Sequence, residues 1–208
     1  MKIITISREF GSGGRELGKR LADYMNIDYY DHEIIAAFAQ AKGMQETYVE
    51  KALEGHGWRQ IPLTYRHSFT SGAMLREERT GLLLAQKHVI DGIAQAGQDC
   101  VIIGRDADIL LAEKSPFRIF VCADMEAKIQ RCMERAPEGE SLSRKEVERN
   151  IRRIDRARAQ SREMLAGGKW GHSSSYHLTV NTSGWNIKEL TPAVAAFAEC
   201  WFGRTQKG

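Results

Sequence analysis

A glycine-rich loop joins the first predicted strand of this chain to its first predicted helix. Residues 2–7 favour a short buried strand, and Leu17, Leu21 and Met25 recur at helical spacing. Between these elements lie Gly11, Ser12, Gly13, Gly14, Arg15 and Glu16. Glycines let backbone N–H groups approach a phosphate closely, and the N-terminus of the following helix adds partial positive charge. The loop is therefore predicted to bind phosphate, although a glycine-rich turn without a ligand would have the same composition.

The loop departs from the standard phosphate-binding pattern. G-x-x-x-x-G-K-S/T requires a first glycine, a lysine and a hydroxyl residue, where this chain has Glu9, Arg15 and Glu16. Arg15 is the candidate substitute for the lysine, because a guanidinium binds phosphate through a planar fork of donors. The carboxylate of Glu16 can hold Mg²⁺ directly or through water, and Ser12 is another candidate hydroxyl ligand.

Strands and helices alternate along the rest of the chain. This alternation predicts a parallel sheet covered on both faces by helices, within one domain of 208 residues. Strands are predicted over residues 27–30, 99–103, 117–122 and 176–180. Asp124 is a candidate N-cap for the helix that follows residues 117–122. Helical patterns lie over residues 32–41, 45–53 and 74–96, and in the last helix Ile187, Leu190, Val194, Phe197 and Trp201 share one face. Residues 55–72 show no steady period and are predicted to be a loop or insert.

A second polar cluster, Arg105 and Asp106, follows the predicted strand 99–103. In open α/β sheets, ligands bind outside the carboxyl ends of the strands. Arg105 is suited to a phosphate, and Asp106 to a base amino group, a ribose or Mg²⁺. A surface salt bridge at the start of a helix fits the same two residues equally well.

The third feature is an arginine-rich helix. Ser143 and Glu146 have the spacing of a capping box, which predicts a helix start there. Charged residues recur at helical spacing along two edges of this helix. One edge carries Arg149, Arg152, Arg153 and Arg156, and the other carries Asp155, Arg158 and Arg162. Phosphoryl transfer needs such cations, and a closing lid over about residues 135–168 would also expel water. A solvated charged helix is the competing interpretation.

Composition narrows the class of protein. No apolar run approaches the roughly 20 residues of a membrane span, and the first residues lack the apolar core of a signal peptide. The net charge of +3 is small, and the arginine-rich helix has no interleaved aromatics, so no nucleic-acid partner is expected. The four cysteines form no C-x-x-C pair and the histidines lack metal-ligand spacing. We expect a cytoplasmic protein with reduced cysteines.

The order of these features resembles nucleoside monophosphate kinases, and most closely the cytidylate kinase-like family. The resemblance rests on six stretches, at residues 3–22, 27–35, 100–111, 118–124, 153–158 and 169–190. It implies a P-loop NTPase-type three-layer sandwich with a parallel sheet and a helical, arginine-rich lid. It also implies transfer of the ATP γ-phosphoryl group, with Mg²⁺, to CMP or dCMP.

The resemblance also implies roles for individual residues. Gly11, Ser12, Gly13, Gly14, Arg15 and Glu16 would hold the donor nucleotide, and Asp31, Arg105 and Asp106 would bind the acceptor. Catalysis would rest on Arg15, Arg153, Asp155, Arg156 and Arg158. The Mg²⁺ ligand is left open among Ser12, Glu16 and Asp106, as is the oligomeric state. Two alternatives stay open: a catalytically inactive nucleotide-binding sensor, and a kinase of another small anionic acceptor.

Overall fold

The computed structural model describes residues 1–31, 87–104, 106–136, 143–166 and 169–205. Its centre is a five-stranded sheet in which every strand pair is parallel. The strands are β1 (Ile3–Arg8), β2 (Asp28–Tyr30), β3 (Cys100–Ile103), β4 (Phe117–Cys122) and β5 (Leu178–Asn181), in the order β2-β3-β1-β4-β5. The predicted parallel α/β class is confirmed.

The strand β1 lies at the middle of the sheet. Ile4 is in register with Val101 of β3 on one side and with Phe117 of β4 on the other. All four residues of β3 and the first five of β1 are buried, so both faces of the sheet are covered. The carboxyl ends of β1 and β3 therefore lie side by side at one edge of the sheet, where the glycine loop and the turn after β3 begin.

Within the described ranges, six α-helices accompany the sheet. They are α1 (Gly14–Met25), α2 (residues 87–95), α3 (Ala107–Leu110), α4 (Met125–Glu134), α5 (Arg144–Ala166) and α6 (Ile187–Thr205). Gly18 allows α1 to lie close to the sheet, because a Cβ there would come within 2.2 Å of the Cδ1 atom of Ile103. Leu17 and Leu21 of α1 are buried in the main core, as their spacing predicted.

A second, smaller core fixes the arginine-rich helix α5 against the glycine loop. It comprises Phe10 from the loop, Ile129 and Cys132 from α4, and Val147 and Ile151 from α5. Burying these side chains removes apolar surface from water, at about 25 cal/mol per Å². The loop, α4 and α5 consequently pack as one unit.

Local capping signals in the sequence are confirmed at two helix starts. The Asp124 carboxylate accepts a 2.7 Å hydrogen bond from the Ala127 N–H at the start of α4. At the start of α5, Glu146 accepts from the Ser143 N–H, and the Ser143 hydroxyl accepts from the Glu146 N–H. These bonds satisfy backbone donors that a helix start otherwise leaves unpaired.

The predicted apolar face of α6 is partly wrong. Phe197 is 46% exposed, while Ala195, Ala198 and Phe202 are buried in its place. At 100° per residue, Ala198 lies near the middle of the buried stripe through Ile187 and Val194, and this helix packs against α1. Phe197 lies at the edge of this stripe. Its ring stacks on Phe117 there, with 5.8 Å between centroids.

Several predictions fall on residues outside the described ranges. They include the insert at 55–72, the helical patterns over 32–41 and 45–53, most of 74–96, and Arg105. No helix within the described ranges is long and apolar enough to cross a membrane. All four cysteines have free thiols.

Candidate nucleotide-binding site

The glycine loop has a backbone that only glycine adopts easily. Gly11 and Gly13 both have φ of 78°, in the left-handed region. The space beside the loop is also filled, since a Cβ on Gly13 would come within 2.7 Å of Ile187 Cδ1. A Cβ on Gly14 would come equally close to the Cβ of Arg8. Larger residues would disturb the loop at each of these positions.

Among the described residues, no side chain caps the N-terminus of α1. Its N-cap residue is Gly13, which has no side chain to accept a hydrogen bond from the first amides of the helix. These N–H groups and the helix dipole together form a ready anion site. Phosphate binding by this loop stays a prediction.

Ser12 holds the shape of the loop. Its hydroxyl donates a 2.8 Å hydrogen bond to the carbonyl of Glu9, and its carbonyl accepts a 2.6 Å bond from the hydroxyl of Thr182. Thr182 follows β5, so the loop is tied to the far side of the sheet. Arg131 of α4 donates to the same Thr182 hydroxyl at 3.0 Å.

Arg15 and Asp31 form an ion pair. The sequence predicted separate roles for them, with Arg15 binding the donor nucleotide and Asp31 binding the acceptor nucleotide. Their closest N–O distance is 2.6 Å, and Asp31 is buried while Arg15 is partly exposed. The hydroxyl of Tyr29 also donates to Asp31, at 3.3 Å. The charge of Arg15 is thus already balanced by a carboxylate.

Glu16 has both carboxylate oxygens engaged. Arg20, one turn along α1, donates to Oε1 at 2.9 Å, and Arg135 after α4 donates to Oε2. Burial raises the pKa of this carboxyl, but the hydrogen bonds from the two arginines outweigh burial and lower it. Glu16 therefore links α1 to the end of α4.

A buried lysine lies beside the loop, between two carboxylates. The ammonium of Lys128 in α4 donates to Glu9 Oε2 at 3.0 Å and lies 3.6 Å from Asp155 Oδ2. The same Glu9 oxygen accepts from the backbone N–H of Ala123. Burial is the main cause that raises the pKa of Asp155. This network connects the loop, α4 and α5.

Asp155 and Arg158 bring the arginine-rich helix into contact with the loop backbone. Asp155 Oδ1 accepts a 2.7 Å hydrogen bond from the Phe10 N–H, and Arg158 Nη1 donates to the Arg8 carbonyl at 2.9 Å. Arg153 and Arg156, predicted to act with them, are exposed. The predicted closing of a lid stays a prediction.

The turn after β3 lies beside the loop. Gly104 and Asp106 both have positive φ, of 72° and 52°. The Asp106 carboxylate accepts a 2.9 Å hydrogen bond from Ser161 of α5, and Asp108 forms a buried pair with Arg162 at 2.7 Å. The helix α5 thus contacts both the glycine loop and this turn.

A sequence model described as the cytidylate kinase-like family matches residues 3–184. The chain belongs to the cytidylate kinase-like family. This membership confirms the resemblance seen in the sequence.

Several solved structures are similar in fold to this cytidylate kinase-like protein. An uncharacterized protein from Eubacterium ventriosum superposes with a TM-score of 0.70 at 22% identity, covering 96% of this chain and 99% of the other. A shikimate kinase from Bacteroides thetaiotaomicron gives 0.54 at 13%, covering 95% and 98%. A sugar kinase from Janibacter sp. HTCC2649 gives 0.51 at 13%, covering 96% and 95%. Identities this low show the fold alone, and a search of curated proteins finds no match.

Three site residues of this cytidylate kinase-like protein were not singled out by the sequence. Arg8 is the last residue of β1, Lys128 lies in α4, and Thr182 follows β5. Lys128 and Thr182 carry no local signal, because their partners in the loop, Glu9 and Ser12, are 119 and 170 positions away along the chain. The position of Arg8, at the end of β1 beside the loop, was the available clue.

Proposed function

We propose that this protein transfers the γ-phosphoryl group of ATP to a nucleoside monophosphate, with CMP or dCMP as the preferred acceptor. One observation carries the proposal: the uncapped N-terminus of α1 and the turn bearing Asp106 lie at the ends of neighbouring parallel strands. A donor phosphate on the loop and an acceptor at the turn would therefore lie close together. Membership of the cytidylate kinase-like family favours the cytidine acceptor.

The chemistry would rest on positioning and charge neutralisation. An acceptor phosphate is already a nucleophile at neutral pH, so no general base is required. The amides at the start of α1 would hold donor phosphate oxygens, and Asp106 would orient the acceptor. Asp155 and Arg158 would keep the loop in shape through its backbone.

The candidate Mg²⁺ ligands are not equally suited. The Ser12 hydroxyl donates to a carbonyl, and both oxygens of Glu16 are engaged by arginines. Asp106 lies at a partly exposed turn, where its Oδ2 accepts a hydrogen bond from Ser161, and its carboxylate is the kind of oxygen ligand that Mg²⁺ prefers. We therefore assign Asp106 and the nucleotide phosphates as the ligands. The bound ion would neutralise phosphate charge. Among the described residues, no group of three or more His, Cys, Asp or Glu side chains could bind a metal without phosphates.

A sensor that binds nucleotide without turnover is the second candidate function. It is favoured by the engagement of Arg15 with Asp31 and of Glu16 with two arginines. These residues occupy the positions where the standard loop has a lysine and a hydroxyl residue.

The test is a coupled ADP-release assay with ATP·Mg²⁺ and each nucleoside monophosphate, including the deoxy forms. Preferred turnover of CMP or dCMP would support the proposal. Nucleotide binding without turnover would favour the sensor, and turnover of another phosphorylated acceptor would replace the cytidine assignment.

A variant pair tests the role of the turn after β3. Asp106→Asn should lower kcat/KM for the acceptor by about 10- to 100-fold, because a neutral amide is a poorer ligand and acceptor. Asp23→Asn, on the exposed side of α1, is the matched control and should change little. Equal effects of both substitutions would remove Asp106 from the site.

A further inference from the structure

The side chain of Arg8 spans the space between the glycine loop and the turn after β3. Its Cβ packs under Gly14, where an added methyl group would come within 2.7 Å. Its guanidinium lies against Gly104, where the position of a Cβ would be only 1.7 Å from Nη1. Gly104, two positions before Asp106, thus leaves room for the guanidinium.

Arg8 is a half-buried cation that has no direct partner in the part of the chain that the structure describes. Among the described residues, its guanidinium makes no hydrogen bond or ion pair. Arg15, Lys128 and Arg158 each lie within 4 Å of a carboxylate. Burial is the main cause that lowers the pKa of Arg8, and it outweighs the attraction of nearby Asp31 and Asp155.

Such an arrangement is favourable for binding a phosphate. The guanidinium has given up part of its hydration without gaining hydrogen bonds, so an incoming anion would supply the missing acceptors. Its planar fork matches two phosphate oxygens. In the proposed function the loop amides hold the donor, whereas the guanidinium lies on the β3 side of the loop, next to Gly104.

We propose that Arg8 binds the phosphate of the acceptor nucleotide and holds it between the glycine loop and the turn after β3. This role rests on the proposed function, because it assumes a phosphorylated acceptor at that turn. It deepens that function by assigning the acceptor phosphate to Arg8, while Arg15 stays paired with Asp31.

Calorimetric titration of the full chain with CMP, cytidine and ATP tests the assignment. Arg8→Gln should weaken CMP binding by about 10- to 100-fold, the loss expected for hydrogen bonds to a charged group. Binding of cytidine, which lacks the phosphate, and of ATP should change less than about 3-fold. Arg144→Gln removes an exposed arginine and is the matched control.

Two further variants separate the role of Arg8 from misfolding. Arg8→Lys keeps the charge without the fork and should give an intermediate loss. Gly104→Ala should reproduce the CMP-specific loss, because its methyl group would displace the guanidinium. Thermal unfolding of each variant reports whether the fold is kept.

Different outcomes identify which hypothesis fails. Unchanged CMP binding in Arg8→Gln and Gly104→Ala, or an equal loss for CMP and cytidine, would overturn the role of Arg8. Wild-type protein that binds no nucleoside monophosphate would instead contradict the proposed function. In that case we would measure how much inorganic phosphate raises the melting temperature of each variant. A phosphate site at Arg8 is supported if this increase is lost in Arg8→Gln but kept in Arg144→Gln. It is overturned if phosphate stabilises both variants equally.

Discussion

Replacing Arg162 by Met should destabilise the protein severely. Arg162 of α5 and Asp108 of α3 pair at 2.7 Å, with side chains only 5% and 3% exposed. Removing the cation leaves a buried carboxylate uncompensated, which typically costs about 3–5 kcal/mol. The contact between Arg162 and the Tyr176 ring, at 5.1 Å, is lost as well, although Met keeps most of the apolar volume. We expect a loss of about 3–5 kcal/mol in the free energy of unfolding.

The same helix supplies a matched control. Arg144 pairs with Glu126 of α4, but these side chains are 57% and 64% exposed. Exposed pairs are screened by water and contribute about 0–1 kcal/mol, so Arg144→Met should cost no more than that. Urea unfolding at 25 °C, followed by circular dichroism, compares the two variants directly.

A double variant isolates the cause of the predicted loss. With Asp108→Leu added to Arg162→Met, no buried charge is left unpaired, so most of the lost stability should return. The reasoning is refuted if Arg162→Met costs no more than Arg144→Met. It is also refuted if the double variant is as unstable as the sum of its single variants.

Three further predictions concern stability. Gly18→Ala should lower the free energy of unfolding in urea by about 1–3 kcal/mol, because the added methyl group would overlap Ile103. Gly92→Ala should instead stabilise α2 by up to about 1 kcal/mol, because nothing lies within 4 Å of the position of its methyl group. Asp124→Ala should cost about 1 kcal/mol in the same assay through loss of its cap. Burial and then Arg118 lower the pKa of His177 from 6.5, so folding favours the neutral ring. The stability this provides is present above about pH 6.5 and is lost as pH falls towards the folded-state pKa. Melting temperatures between pH 5 and 7.5 should show this slope, and His177→Gln should flatten it.

Each of these predictions has an outcome that would contradict it. A stabilising Gly18→Ala would mean that α1 can move away from β3 at no cost. A loss in Asp124→Ala equal to that in the exposed Asp23→Ala would show that the cap contributes nothing. If the melting temperature changes with pH in the same way in the wild type and in His177→Gln, other titratable groups cause that change.

Local features of the sequence predicted much of the fold. The strand over residues 117–122 was predicted with its observed bounds, and the starts of α4 and α5 were predicted from Asp124 and from Ser143 with Glu146. These features rest on hydrogen bonds between residues three apart, or on an apolar run that only Arg118 interrupts. The strand predicted over 176–180 begins at Leu178 instead, since Tyr176 ends a short helical turn.

Contacts between distant residues appeared only in the folded chain. Neither the bond from the Phe10 N–H to Asp155 nor the pairing of Arg15 with Asp31 follows from periodicity. The bond to Asp155 joins residues 145 positions apart, and it depends on α5 packing beside the loop. The partner of Arg15 depends on how α1 and β2 pack beside one another.

The sequence alone determined that a glycine loop between a strand and a helix would favour phosphate, because backbone conformation and the helix dipole are local properties. The tertiary structure decided which cations beside the loop already have a carboxylate partner. Arg15 carries the expected charge in the expected place, yet Asp31 already balances it. Arg8 gains its position only because β1 and β3 are neighbours and Gly104 leaves space for its guanidinium.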